Sequence, residues 1–342
     1  MKKKYFLYVL FICLIHSINA NISIISFNVE NLFDTKNNPL KKDDTYIPLN
    51  QKGNALHIKN CKSIQVKKWR DDCLYLDWNN VAVNQKIKNV VKIISSQNSD
   101  IISLQEVENL EILKLIQSGL DEKKYRYVGL IEGQDDRGIN LGIISKYPIS
   151  NSKLHPIKFV GVSDAVQDDT RGILETVIKY QNNLLRIYSV HFPAGYHPTS
   201  MRKYAFNELE KLTKKHTDIV VALGDFNVNI TEDKKENIYA KVAETWDIAH
   251  LVGCFECKGT SFYSRNKTWS FLDNIMVLKG RGAYFDYDSI KVIKHPIHID
   301  EKGIPRSFNL TNGSGVSDHF PIVASVKFNM AERQGFEPWK PY

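Results

Sequence analysis

Past residue 20 this 342-residue sequence has no apolar run approaching the ~20 residues that a membrane-spanning helix requires. It has no HExxH pair, which removes the usual His-rich zinc hydrolase site. It has no Walker loop and no dinucleotide-binding glycine pattern. A serine-hydrolase elbow is also missing, because Gly313-Ser314-Gly315-Val316-Ser317 precedes an apolar strand instead of joining a strand to a helix. No internal repeat appears, and neither sign of charge dominates. Lys and Arg number 46 against 38 Asp and Glu, a formal net charge of +8. That mild basicity is compatible with a polyanionic partner and does not identify one. With 43% apolar and 25% charged residues, the composition fits one large globular domain or two modest ones.

The two ends differ from the body. Lys2-Lys3-Lys4 precedes the apolar stretch YFLYVLFICLIHSI and then Asn19-Ala20. This reads as a secretory signal peptide over residues 1–20, cleaved after Ala20; an uncleaved anchor or a buried strand is the alternative. Cleavage would take three lysines and leave +5 of the +8. Residues 330–342, after the last apolar strand, have no periodicity and read as an extraneous tail. Residues 21–329 form the expected domain. Four cysteines remain in the body, Cys61, Cys73, Cys254 and Cys257, and an even number in an exported chain suggests disulfides. Three pairings exist, of which the local Cys61–Cys73 and Cys254–Cys257 are favoured. A redox or zinc role for Cys254-Phe-Glu-Cys257 lacks both a thioredoxin-like context and a second ligand pair.

Between the ends, short apolar strands alternate with helical stretches. Residues 22–29, 100–107, 138–146, 173–180, 184–192, 218–226, 270–277 and 320–328 read as strands. Residues 84–98, 109–120 and 200–216 carry helical spacing, the first through Ile87, Val90, Val91 and Ile94. This order indicates layered α/β architecture, and the hairpin-like neighbours between 139 and 190 favour mixed sheets. Residues 36–78 stand apart as a long polar insertion with nine Lys or Arg against five Asp. It reads either as a solvated excursion or as a substrate-contacting arm.

The apolar strands end in acids and amides. Ile219–Leu223 is followed by Gly224 and Asp225-Phe226-Asn227, and the period of two in extended chain puts Asp225 and Asn227 on one side. Asp and Asn after a strand mostly form turns, so this stretch alone identifies nothing. Asn28 and Glu30, Glu106, His191, Asp273 and Asp318-His319 repeat the arrangement, with no lysine beside the acids to pair them. Carboxylate and amide oxygens are hard ligands suited to Mg²⁺ or Mn²⁺. Such a set fits metal-assisted attack of water on a phosphate ester, with a histidine bonding the phosphate oxygens.

The ordered motifs SFNVEN, LQEVEN, SVHFPAG, LGDFNVN, FLDNIMV and SDHFPI, spread from residue 22 to about 328, resemble the endonuclease/exonuclease/phosphatase superfamily. They look nearest to exported bacterial nucleases similar to pancreatic-type deoxyribonuclease. The resemblance implies a four-layer α/β sandwich, two mixed β-sheets packed face to face with helices outside. It implies Glu106 as principal metal ligand, helped by Glu30 and Asp318, with Mg²⁺ as the ion, Mn²⁺ in its place, or Ca²⁺ in a structural role. It implies Asp225 as the residue activating water, and Asn28 and Asn227 as amides positioning phosphate and metal-bound water. His319 matches the phosphate-binding histidine, Asp273 its carboxylate partner, and His191 a candidate general acid near the leaving group. Arg171 matches a phosphate-contacting position; Arg137 and Arg202 are further candidates.

The expected activity is a secreted or periplasmic, monomeric, metal-dependent endonuclease acting on DNA, or on RNA. No stable membrane association is expected after signal cleavage. Inositol phosphatase relatives carry a WCDR-like motif where this chain has SFLDN, and abasic-site repair enzymes act inside cells. A sphingomyelinase-like phospholipid phosphodiesterase, a toxin-type nuclease and a catalytically inactive binding module remain as alternatives.

Overall fold

The first strand, β1 (Asn21–Leu32), sorts its side chains between two buried layers. Ile22 and Ile24 join one hydrophobic cluster, while Ile25, Phe27 and Val29 join another. This is the two-residue period of extended chain. The computed structural model describes residues 21–328; the expected signal peptide over 1–20 and the expected tail over 330–342 lie outside the described residues.

One six-stranded sheet runs β13 (Ala283–Val292), β14 (Ile322–Phe328), β1, β2 (Ile101–Val107), β4 (Asn140–Ser145) and β3 (Tyr127–Leu130). The second runs β5 (Ile149–His155), β6 (Ile173–Tyr180), β7 (Asn183–His191), β8 (Ile219–Asp225), β12 (Asp273–Leu278) and β9 (Trp246–Ile248). Each sheet has one parallel pair near its middle, β1–β2 and β7–β8, among antiparallel neighbours. A small hairpin, β10 (Ser261–Tyr263) and β11 (Thr268–Ser270), stands apart.

Three apolar clusters define the interfaces of four layers. The middle one packs sheet on sheet through Ile24, Leu185, Val221 and Leu223. Another packs the first sheet against α3 (Asn80–Ser95) and α4 (Leu110–Gly119), through Val90, Ile93 and Leu113. The third packs the second sheet against α6 (Thr199–Thr213) and α8 (Ile238–Val242), through Ala205, Phe206 and Leu209. Short helices α5 (Asp164–Gln167), α7 (Ile230–Glu236) and α9 (Ala249–Val252) lie in connections. The expected α/β sandwich is observed. Helix starts follow local capping: Asn79 accepts from Val81 N and Ala82 N, and Asn109 from Ile112 N.

The 36–78 insertion is ordered and anchored to the body. It contains a helical hairpin, α1 (Ala55–Ser63) and α2 (Lys67–Tyr75), closed by the Cys61–Cys73 disulfide. Its ends are anchored to the body. Tyr46 stacks on Phe33 with ring centroids 4.1 Å apart, and the Trp78 indole donates to the Phe33 carbonyl at 3.1 Å. Lys41 Nζ donates to the carbonyls of Gly133 and Asp135 at 3.2 and 2.6 Å, so the insertion buttresses the loop that carries Arg137. The second expected disulfide, Cys254–Cys257, is also formed.

Candidate active site

The two parallel strand pairs end close together, one from each sheet. In the second sheet, register pairs Asp225 with His191 on one side and with Asp273 on the other. Gly224 makes this fit: its φ is +139°, and a Cβ there would meet the Val190 carbonyl oxygen at 2.0 Å. In the first sheet, the β1–β2 register slips between Asn28 and Leu32, and the β2–β4 register between Gln105 and Val107. Bulges of this kind re-aim side chains at sheet ends. Glu30, Asn31 and Glu106 accordingly have φ of 50°, 50° and 63°. Left-handed backbone at non-glycine residues is strained by roughly 1–3 kcal/mol each, and tends to collect at functional sites. Hydrogen bonds hold it here: Glu30 N donates to Asn28 Oδ1 at 3.0 Å, and Asn31 N to Glu106 Oε2 at 2.8 Å.

Asn28 ties the sheets together. Its Nδ2 lies 3.3 Å from Glu106 Oε1 and 3.1 Å from Asp225 Oδ2. His319 Nδ1 lies 2.7 Å from Asp273 Oδ2 and 4.0 Å from Asp225 Oδ2. Burial disfavours the charged imidazole, but the carboxylates of Asp273 and Asp318 outweigh it and raise His319 well above the usual histidine range. Asp225 is pushed up to about 7, by burial first and then by the neighbouring Asp273 charge. Asn227 does not reach the site by strand alternation. The strand stops at Asp225, Asn227 has φ 54°, and its backbone N–H folds back onto Asp225 Oδ1 at 2.8 Å. Its carboxamide donates to the Phe192 carbonyl at 3.0 Å, so it braces the turn beside His191.

The arginines meet the site through His191 and Asp135. Arg171 Nη1 donates to Asp135 Oδ2 at 3.1 Å, and Nη2 lies 2.7 Å from His191 Nε2. His191 Nε2 is 3.6 Å from Asp225 Oδ2 and 3.7 Å from Glu106 Oε1. Burial, then the Arg171 and Arg137 charges, press His191 well below the histidine range. It is a neutral acceptor for Arg171 in these surroundings, which do not suit the general-acid role expected of it. Burial also opposes ionisation of Glu106, yet Arg137 and Arg171 outweigh it and hold the carboxyl below its ordinary value. The Nε atoms of Arg137 and Arg171 are buried without a protein acceptor. Such orphan donors beside an acidic cluster suit an anionic ligand. Arg202 is different. Its guanidinium is buried and fully engaged by Glu232 and the carbonyls of Pro193, Ala194 and His197. The expectation that Arg202 contacts phosphate is therefore wrong: it staples the loop before α6.

Glu30 and Asp318 complete the acidic side. Asp318 N donates to Glu30 Oε2 at 3.2 Å, and Ser307 Oγ to Glu30 Oε1 at 3.0 Å. Burial, then the Asp318 charge, push Glu30 up to about 8. Crowded oxygen donors of this kind, Glu30 half-buried and Asp318 exposed at the rim, fit a divalent cation, whose charge would relieve their mutual repulsion. Asp225, Asp273 and His319 offer ligand atoms all within 4.8 Å of one another, which Glu30, Glu106 and Asp318 do not. A cationic imidazole is nevertheless a poor ligand, so the glutamates and Asp318 are the better metal set.

Two contributors escaped the sequence reading. Ser317 Oγ donates to the Asn28 carbonyl at 2.7 Å and accepts from His319 N at 3.0 Å, locking the two motifs together. Lys86 reaches from α3 and donates from Nζ to the Glu30 carbonyl. Burial pushes its ammonium below the usual lysine value, and Glu30, Glu106 and Asp318 push back. The signal was a lysine on the apolar face of its helix, between Ala82 and Val90.

Residues 60–319 match the sequence model of the Endonuclease/Exonuclease/phosphatase family. The chain belongs to this family. Enzymes of the endonuclease/exonuclease/phosphatase family hydrolyse phosphoester bonds and generally use divalent metal ions. A Drosophila melanogaster protein described as "Putative neutral sphingomyelinase" is 24% identical over 276 residues, covering 74% of this chain. The chain spans only 58% of that relative's length. Among solved structures, a family protein from Bacteroides thetaiotaomicron aligns with a TM-score of 0.56 and 16% identity, over 91% of this chain and 99% of its own. The mannosyl-6-phosphatase of the same organism aligns at 0.55 and 15%, over 90% and 100%. At these identities the solved structures establish the shared fold of the family.

Proposed function

We propose that this chain is an exported, Mg²⁺-dependent phosphodiesterase that cleaves nucleic acid strands internally, DNA before RNA. The observation that carries the reading is the pairing of an acidic set with nearby buried arginines. Glu30, Glu106 and Asp318 offer hard oxygen donors, and beside them Arg137 and Arg171, whose charges act on Glu106, have buried Nε atoms without a protein acceptor. A bound divalent ion supplies charge neutralisation at the phosphate and at the leaving oxygen. The chain's own groups do the rest. Arg137 and Arg171 hold the phosphate, and His319, charged by Asp273, donates to a non-bridging oxygen. Asp225 takes a proton from water as its oxygen attacks phosphorus and the opposite P–O bond breaks. Asn28 fixes the Asp225 oxygen that does so. The departing oxygen is protonated by solvent.

The similarity to the Drosophila protein favours a second reading, hydrolysis of a choline phospholipid at the same site. One experiment separates them. The chain is incubated with covalently closed plasmid, single-stranded RNA and sphingomyelin vesicles, each with Mg²⁺ and with chelator. Nicked and then linear plasmid, with metal only, is the expected result. Lipid cleavage with intact plasmid would move the function to the phospholipid reading.

A further inference from the structure

A single exposed aromatic needs no explanation, but Tyr196 is both 68% exposed and pinned in place. It stands on a turn from Ala194 to His197, closed by His197 N donating to the Ala194 carbonyl at 2.9 Å. The turn follows closely on His191, and the Asn227 carboxamide fixes its entry through the Phe192 carbonyl. The Tyr196 hydroxyl donates to Asp169 Oδ2 at 2.5 Å, and the buried His197 imidazole bonds the same oxygen at 3.0 Å. The His197 ring leans on Tyr196, with centroids 4.4 Å apart and planes tilted by 44°. Bonds at one edge thus set the orientation of a ring that is mostly open to solvent.

The same anchor adjoins the arginines. The Asp169 carbonyl accepts from Arg171 Nη1 at 3.2 Å, and Arg171 Nη2 lies 2.7 Å from His191 Nε2. Tyr196 is therefore separated from the proposed phosphate contact by one residue, as a base is separated from its phosphate by one sugar. The charges of Arg137 and Arg171 both act on the phenol. Two such cations disfavour a quaternary ammonium headgroup over this ring, and Asp169 Oδ2 is already engaged by Tyr196 and His197. A neutral planar group attached to an anion fits better, and a nucleobase with its phosphate has that chemistry.

We propose that Tyr196 is the stacking platform for a nucleobase of the strand whose phosphate Arg171 holds, a base-binding subsite beside the reacting centre. This rests on the nucleic acid reading of the site. The subsite accepts any sequence, because every base has a π-face. Tyr196 bonds none of the groups assigned to the chemical step, so it contributes uniform binding: its loss raises KM and leaves kcat near the wild-type value. Its hydroxyl aims the ring, and the ring face makes the contact.

The test compares two single-stranded DNA oligomers of equal length and equal phosphate number, one of thymidines and one of base-free tetrahydrofuran sugars. Each is cleaved by the full chain with Mg²⁺, and folding is checked by thermal melt. Wild type is expected to show a KM for the thymidine oligomer about tenfold or more below that for the base-free one, the worth of a stacked base. Tyr196→Ala should raise the thymidine KM to the base-free value and leave the base-free KM unchanged. Tyr196→Leu, apolar but without a π-face, should do the same and serves if Tyr196→Ala does not fold. Tyr196→Phe keeps the ring face and should retain most of the discrimination. Tyr284, paired with Lys327 at the end of β14 remote from His319, is the control, and Tyr284→Ala should change neither KM. An equal rise on both oligomers in Tyr196→Ala, or a loss in Tyr196→Phe as large as in Tyr196→Ala, would overturn the proposal. A wild-type chain that cleaves both oligomers with metal and does not distinguish them loses the role of Tyr196 alone. A chain that leaves both intact loses the nucleic acid reading as well, whatever it does to sphingomyelin vesicles.

Discussion

The carboxamide of Asn28 donates to Asp225 Oδ2 at 3.1 Å, although the two residues are 197 apart in the chain and lie in different sheets. The same Nδ2 lies 3.3 Å from Glu106 Oε1, so one amide spaces the carboxylate proposed to activate water from a carboxylate proposed to hold metal. Asn28→Ala should lower kcat/KM by roughly 10²–10³-fold, as loss of an oriented buried donor does. Stability should fall by only about 1–2 kcal/mol. Steady-state kinetics with a thermal melt checks this; a large loss of stability with intact activity per folded molecule would refute it.

Asp225 can accept a proton only as the carboxylate, and burial with the Asp273 charge pushes it up to about 7. Activity should therefore rise with pH below about 7 and level off above it. Removing the neighbouring charge in Asp273→Asn should move that limb to lower pH while reducing the maximum, because His319 loses its partner. A pH–rate profile whose limb stays in place would exclude Asp225 as the base.

Arg171 and Arg202 should separate cleanly. Arg171→Met is expected to reduce kcat/KM by about 10²-fold or more and to flatten the salt dependence of binding; it also strands the buried Asp135 carboxylate and should destabilise by about 3–5 kcal/mol, so kinetics of the folded fraction, and not stability, sets it apart. Arg202→Met strands the buried Glu232 carboxylate and should destabilise by about 3–5 kcal/mol, leaving the KM of the folded fraction unchanged. Raised KM without destabilisation in Arg202→Met would restore it as a phosphate contact.

The Cys61–Cys73 bond closes a short loop, 12 residues in sequence separation, within a hairpin that is anchored by Tyr46 and Trp78. Replacing both cysteines by serine should cost roughly 2–3 kcal/mol at most. Protease sensitivity should appear around residues 62–68 while turnover is kept. Loss of turnover in the folded double variant would place the hairpin in contact with substrate.

Much of this site was legible because each strand ends in its own motif. Asn28, Glu106, His191, Asp225, Asp273 and Asp318-His319 sit where apolar strands stop, and such ends can be found from hydrophobic runs alone. The turns were less legible. Alternation predicted Asn227 on the side of Asp225, but the strand ends at Asp225 and Asn227 has φ 54°; its backbone N–H bonds Asp225 and its carboxamide donates to the Phe192 carbonyl. The insertion's helices were hidden because their apolar faces are short and their exposed faces basic.

Arg171 and Arg202 look alike as letters. Only packing distinguishes an arginine with an unmatched Nε from one surrounded by Glu232 and three carbonyls. Lys86 is the sharper case. Its helix could be placed from spacing, but its partner, the Glu30 carbonyl, lies on a strand 56 residues earlier. The sequence by itself determined the layered α/β class, the strand ends and the chemical character of the groups at them, because period and composition are local properties. Only the tertiary structure decided which of those groups meet, which cations are neutralised internally, and which lysine stands behind the acids. Those outcomes depend on sheet register and burial, which no local pattern encodes.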